Sequence, residues 1–327
     1  MTWSRLLALC TATRRPLVFV DFETAGLNGA PPVEYAIAYY TPWAPPEQDK
    51  TSAQARKSCP PGLTYAATGR LNPGVPIDPE AQAVHGITDA DVAKCLRYDD
   101  LAGVGPALLA LAAGDASAGE GPAVWCGHNL AEADVPWAQR WGYLPRGDVA
   151  VVDTCRLSRR LTASHPHPLA PDAVTWQRCP AVGHGLAPYN GKMLGLHTAL
   201  FGDPPDFSHA ALADVCTTAR CLAAVLDLWS PLWPAVVQGE DPHAALEALL
   251  AALNTPPPGV LSWDGWVRVL PDGRRVWSGK AKKVGAGRPI NCDPDYARWV
   301  SALPSSPTGA DGQAWCSDAT RAALQKT

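Results

Sequence analysis

The chain has 327 residues, 47% of them hydrophobic, with a formal net charge of −4 and a pI near 6.0. That length suits one large domain with a smaller one, and the apolar share suits an ordinary packed core. The acidic balance excludes a protein that holds nucleic acid by bulk positive charge, so any such site is local or uses metal ions to offset acid.

No stretch approaches the ~20 apolar residues of a membrane span. The apolar run within "MTWSRLLALCTATRR" is too short for a signal peptide. The ten cysteines include no CxxC pair, and read as free thiols in a reducing, cytoplasmic setting.

In chain order, "LVFVDF" (17–22) reads as a buried strand and "VEYAIAYYT" (33–41) as a second one. The Pro-rich stretch 42–61 reads as a loop or insertion, and strand signal resumes around 62–71. "NPGVPIDPEAQAVHGITDADV" then predicts a turn, a short helix, a break at Gly86 and a helix start capped by Thr88 or Asp89. An Ala/Leu-rich helix is expected over 104–113 and a strand over 121–129, "GPAVWCGHN". A helix follows over 131–142 with Pro136 in its first turn.

"VAVVDT" (149–154) is a short strand leading into a helix that ends near Leu161, and 164–191 reads as an irregular insertion. Helices follow over 192–201 and 209–229. "DPHAALEALLAALN" (241–254) has an Asp cap and Pro at the first helical position, and "TPPPG" (255–259) reads as a stiff linker. Strands interleaved with helices, the early ones closely spaced, indicate an α/β fold with a mixed sheet flanked by helices. The division expected is 1–231 for the main domain, 232–258 for a helix and Pro-rich linker, 259–303 for a small Trp-rich basic module and 304–327 for a polar tail.

Asp21 and Glu23 stand two apart on the first strand, so they share a face. Alone, such a pair reads as a strand end whose acids meet solvent. Two like charges side by side otherwise need positive charge between them, and a divalent metal that prefers oxygen ligands supplies it. Asp134 follows Asn129 by five residues, and Asp214 follows His209 by five. Five residues turn a helix by about 140° off one face. His209 is therefore expected in a loop before the helix, with Ser208 helping to start it and Asp214 in its second turn.

Together "VDFETAGL", "GHNLAEAD" and "HAALAD" resemble the three motifs of the DnaQ-like, DEDDh-type 3′–5′ exonucleases, which have a ribonuclease H-like fold. "LNPGVPIDPEAQAVHGITDADV" and "VVDTCRLSRRL" resemble accessory segments of that family, and the likeness spans about 17–229. The resemblance implies two ions, Mg²⁺ or Mn²⁺. Asp21, Glu23 and Asp214 would hold one, Asp21 with Asp134 the second, and His209 would be the general base. Thr24, Ala25 and Leu27 would line a slot for the 3′-terminal nucleotide; Ala25 stands where relatives often have Thr. Asn129 either steadies the second motif or reaches substrate, and His85 either approaches the nucleotide or fixes a loop. Trp125, Trp137 and Trp141 are stacking candidates by position, with core packing as the other reading.

The implied reaction releases nucleoside 5′-monophosphates from 3′ ends, with single-stranded DNA preferred, in a setting of DNA repair or proofreading beside a polymerase. An exoribonuclease is the alternative enzyme, and an adaptor that keeps the fold with little chemistry is the alternative of another class. Residues 259–300 hold eight basic and four acidic residues, with Trp263, Trp266, Trp277 and Trp299 among them. "DGRRVWSGKAKKVG…DPDYARWV" loosely resembles a small domain behind some exonucleases of this family, departing at Ser278 and Ala281. Lys280, Lys282, Lys283 and Arg288 are its candidate phosphate contacts.

Overall fold

The computed structural model describes residues 2–27, 30–40, 65–100, 121–145, 149–159, 192–205, 210–228, 241–254, 256, 267–270, 272–278, 284, 286–303 and 316–325. The expected loop over 42–61, helix over 104–113 and insertion over 164–191 lie outside these residues.

Strands β1 (Leu17–Thr24), β2 (Pro32–Tyr40), β3 (Tyr65–Arg70), β4 (Val124–Gly127) and β5 (Ala150–Asp153) form one five-stranded sheet in the order β3-β2-β1-β4-β5. β2 runs antiparallel to both β1 and β3, while β1, β4 and β5 are parallel. This is the mixed sheet flanked by helices that the sequence predicts. β1 pairs with β2 along its whole length, but with β4 only from Leu17 to Phe19. The last part of β1 therefore projects past its parallel neighbour. Between β1 and β4 the connections leave in opposite directions, which in an open α/β sheet opens a crevice at the strands' C-terminal ends.

Alternation along β1 serves two cores. Leu17 and Phe19, with Ala36, Ala38, Val124, Cys126 and Val152, face one cluster. Helices α1 (Thr2–Thr13), α6 (Met193–Phe201), α7 (Ala211–Leu228) and α8 (Pro242–Asn254) pack there through residues such as Leu6, Leu196, Leu222 and Leu246. Val18, Val20 and Phe22, with Ile37, Trp125 and Val151, face the other cluster. There they meet Val135 and Ala138 of α4 (Asp134–Arg140), and Tyr143 and Leu144. Trp125, fully buried, is a core residue.

Two short helices, α2 (Pro79–His85) and α3 (Asp89–Val92), follow β3. Asp78 caps the first, Gly86 ends it in the left-handed region at φ 73°, and Thr88 with Asp91 forms a reciprocal capping box on the second. α5 (Thr154–Arg159) continues directly from β5.

The expected helix over 241–254 forms as α8, with His243 N–H donating to Asp241 (2.9 Å), and its apolar stripe enters the core that holds α1. Buried Arg15 donates from Nε to the Pro122 carbonyl (2.8 Å) and pairs with Glu247 on α8. At the far end, the Asn254 amide donates to the carbonyl of Val151 on β5 at 2.7 Å.

The C-terminal region has its own apolar cluster. β6 (Val267–Val269) and β7 (Arg275–Trp277) form a hairpin whose turn uses Gly273 at φ 82°. A 3₁₀ turn (Ile290–Cys292) leads to α9 (Pro294–Ser301), where the Asp293 carboxylate accepts from Tyr296 N–H at 2.9 Å. Val267, Trp277, Ile290, Tyr296 and Val300 cluster with Cys316 and Leu324. Leu324 belongs to α10 (Asp318–Gln325), so the stretch expected as a polar tail includes a helix that covers this cluster. Cys216 corrects the expectation of free thiols throughout: it is disulfide-bonded. Among the described residues no helix is long and apolar enough to cross a membrane.

Leu246 is completely buried on α8. Leu246→Ala is expected to destabilise the protein by about 2–5 kcal/mol, read from the shift of the urea unfolding midpoint.

Candidate metal centre

Odd-numbered residues of β1 face α7, so Asp21 and Glu23 emerge on the face that this helix covers. α7 begins at Ala211, which places Asp214 in its first turn and not in the expected second one. Carboxylate oxygens of Asp21, Glu23 and Asp214 all lie within 4.8 Å of one another. These three half-buried acids form a group of the kind that holds a divalent cation.

Asp134 is not part of that group. It is the first residue of α4, buried, and accepts a hydrogen bond from the backbone N–H of Phe22. Its carboxylate therefore lies against β1 where β4 has ended, close enough to Asp21 to oppose its ionisation. His209 lies outside the described residues.

The electrostatics follow from burial and crowding. Burial holds Asp21 well above the usual carboxylate range, and Asp134, Asp214, Glu23 and Glu34 add repulsion. Glu23 is pushed up to about 7, by burial first and then by Asp214 and Glu34. Burial likewise raises Asp134 to about 8, against the lowering effect of its backbone hydrogen bonds. Oxygen-only donors, partly buried and mutually repelling, fit a hard dication such as Mg²⁺ or Mn²⁺.

The turn that delivers Asp134 is stitched to the end of β5. Gly127 leaves room for Leu130, since a Cβ there would come within 2.8 Å of the Leu130 Cβ. Asn129 adopts φ 62°, which Asn tolerates better than most residues. Its side chain is exposed, while its N–H donates to Asp153 (2.9 Å). Asp153, almost fully buried, also accepts from Ala131 N–H (3.1 Å) and Cys155 N–H (2.8 Å). Thr154 donates to the Gly127 carbonyl, and the His128 Nδ1 lies 3.0 Å from the Thr154 hydroxyl. Asp153, within "VVDTCRLSRRL", has no role in the motif resemblance, and an acid ending a buried strand is the one sequence signal for it.

The segment after β1 is also pinned. Ala25 is buried, its N–H donates to the Pro31 carbonyl (2.8 Å), and its carbonyl accepts from Asp78 N–H (2.7 Å). The Thr24 hydroxyl donates to the Gly26 carbonyl (2.6 Å). Leu27 is 78% exposed, an apolar side chain presented to solvent four residues past Glu23. His85 accepts at Nδ1 from Ile87 N–H (3.0 Å), which leaves its Nε2 to donate to the Thr24 carbonyl (3.2 Å). Both ring nitrogens thus serve the loop. Trp141 packs edge-on to Phe22 and beside Trp137.

In the C-terminal region a cleft of about 400 Å³ is lined by Arg274, Arg275, Asn291 and neighbouring backbone. Arg274 pairs with Asp272, whereas exposed Arg275 and Arg288 have no ion-pair partner among the described residues. Trp299, 52% exposed, stacks on Tyr296 with ring centroids 5.4 Å apart.

No family model matches the chain, and no curated protein matches it. Solved structures of exonucleases match it over most of its length, at low identity. Exonuclease X in complex with 5′-overhanging duplex DNA is 19% identical, over 71% of this chain and 98% of that one, with a TM-score of 0.38. Escherichia coli exonuclease I in complex with a dT13 oligonucleotide is 15% identical over 88% of this chain, with a TM-score of 0.49. Exonuclease I from Methylocaldum szegediense is 18% identical over 71% of this chain, with a TM-score of 0.43. The chain spans 59% and 45% of the length of these two exonuclease I chains. Likeness at this level concerns the fold alone.

Raised carboxylate pKa values mean that the folded state keeps protons the unfolded chain has lost. Stability of the metal-free protein therefore falls as pH rises from ordinary carboxylate values, near 4, towards about 7 for Glu23 and about 8 for Asp134. The metal-free melting temperature is expected to drop between about pH 5 and pH 8, and added Mg²⁺ to raise it more at the upper pH than at the lower. Scanning fluorimetry with and without chelator reads both effects.

Proposed function

We propose that the chain is a metal-dependent 3′–5′ exonuclease of the DnaQ-like DEDDh type, acting on free 3′ ends with single-stranded DNA foremost. The observation that carries this reading is the convergence of Asp21, Glu23 and Asp214, from a strand and a distant helix, to within 4.8 Å. The ordered motif resemblance supports it, as does the mixed strand order. DNA repair or proofreading beside a polymerase is the setting such an activity suits.

In this reading Asp21, Glu23 and Asp214 would hold one ion, and Asp21 with Asp134 a second, as Mg²⁺ or Mn²⁺. Two such ions, when bound, supply the positive charge that phosphodiester hydrolysis needs at its attacking and leaving oxygens. The four carboxylates would hold this charge in place. His209 accepts the proton of the attacking water, a task suited to an imidazole with an ordinary pKa near 6.5. By sequence it stands two residues before the helix whose first turn carries Asp214.

The pinned backbone of Thr24 and Ala25 shapes the slot for the terminal nucleotide, and exposed Leu27 offers the base an apolar contact. His85 fixes this slot from behind, and Asn129 steadies the second motif through its backbone. The products are nucleoside 5′-monophosphates. Arg275 and Arg288, with the half-exposed face of Trp299, grip the more distant part of the strand. Lys280, Lys282 and Lys283 lie outside the described residues.

Asp21→Ala or Asp214→Ala should each lower mononucleotide release from a 3′-labelled single strand by more than about 100-fold, exceeding the usual cost of an outer-shell change. Matched DNA and RNA, single-stranded and duplex, define the polymer in the same assay, and undiminished release removes the proposal. His209→Ala should reduce kcat by about 10²–10⁴-fold while Mn²⁺ still binds, as calorimetry would show. Arg275→Ala and Arg288→Ala should each flatten the slope of log affinity against log salt, measured on a long single strand, by about 0.7.

A further inference from the structure

We infer that Glu34 is a positioning residue: from β2 it supplies the missing N-terminal cap of α7, the helix that carries Asp214, and so sets where Asp214 stands relative to Asp21 and Glu23. The inference rests on the proposed metal site and adds the element that holds it together.

The first N–H groups of any helix have no partner within it. A Ser, Thr, Asp or Asn at the residue before the helix ordinarily accepts from them. Ahead of α7 that residue is Ala210, which carries no acceptor, and Ala211, Leu212 and Ala213 follow. The acceptor comes instead from 177 residues away: the Glu34 Oε2 accepts from Ala211 N–H at 3.0 Å.

Strand register explains how it gets there. Glu34 stands directly opposite Glu23 in the antiparallel β1–β2 pair, and residues directly opposite share a face. The same face carries Ala36 and Ala38, which pack against α7 through the core. Glu34 therefore spans from the strand beside Glu23 to the turn of helix that bears Asp214.

Its charge has an evident cost, because Glu34 adds to the repulsion felt by Asp21 and Glu23. It is not one of the acids whose oxygens converge on the candidate ion. Negative charge is favourable at a helix N-terminus, and the Arg70 Nε lies 3.8 Å from the other carboxylate oxygen. A fifth carboxylate beside the site is thus accounted for by the backbone it binds.

Two variants separate the cap from the charge. Glu34→Ala removes the acceptor, and Glu34→Gln keeps a carbonyl oxygen while removing the charge. In metal-free protein, hydrogen exchange at the Ala211 amide should be much faster in Glu34→Ala and close to the parent in Glu34→Gln. Mn²⁺ affinity and kcat should fall about 10–100-fold in Glu34→Ala, with KM for the strand unchanged, and Glu34→Gln should recover most of that loss. Unchanged exchange in Glu34→Ala, or a loss in Glu34→Gln as deep as in Glu34→Ala, overturns the inference. Asp214→Ala is the control for the site itself. If it binds Mn²⁺ as tightly as the parent, the metal reading fails, while the exchange measurement still decides the cap.

Discussion

Carboxylates gathered at the end of a buried strand repel one another, and the rest of the architecture can be understood as the means of holding them there. Asp21, Glu23 and Asp214 share a space of less than 5 Å, with Asp134 pressing on Asp21 from the opposite side of the strand. Such a group cannot be fully ionised without compensating charge. Each acid is attached to a rigid element that is itself anchored in one of two apolar cores, so the chain cannot relieve the repulsion by spreading.

The sheet determines who can approach whom. Because β4 stops pairing with β1 at Phe19, the Phe22 N–H is left for a side chain, and Asp134 takes it. Nearby acids then divide by their partners. Asp153 and Glu34 accept from backbone N–H groups and fix the two helix starts. Asp21, Glu23 and Asp214 face each other. Asp134 does both, accepting the Phe22 N–H while its charge bears on Asp21.

Much of this was legible in the sequence. Apolar runs bounded by turn residues placed all five strands of the main sheet to within a few residues, and Asp, Pro and Thr at helix starts placed α2, α3 and α8. The D-x-E pair was legible because strand periodicity is strict. Less was legible where partners are remote. α7 was expected from 209 but begins at Ala211, since its cap comes from another strand and leaves no local mark. Asp153 and Glu34 were passed over for the same reason: a carboxylate that binds backbone looks, in a string of letters, like any other acid. α10 was missed because its apolar positions are few, and only the cluster around Trp277 makes burying them favourable.

The Asn254 side chain, which reaches across to the Val151 carbonyl, has an effect beyond joining α8 to β5. Among the described residues β5 is the outermost strand on its side of the sheet, and an outermost strand offers its free backbone groups to any extended segment that passes. With the Val151 oxygen already engaged and α8 lying alongside, one of the acceptors that an added strand would need on β5 is taken.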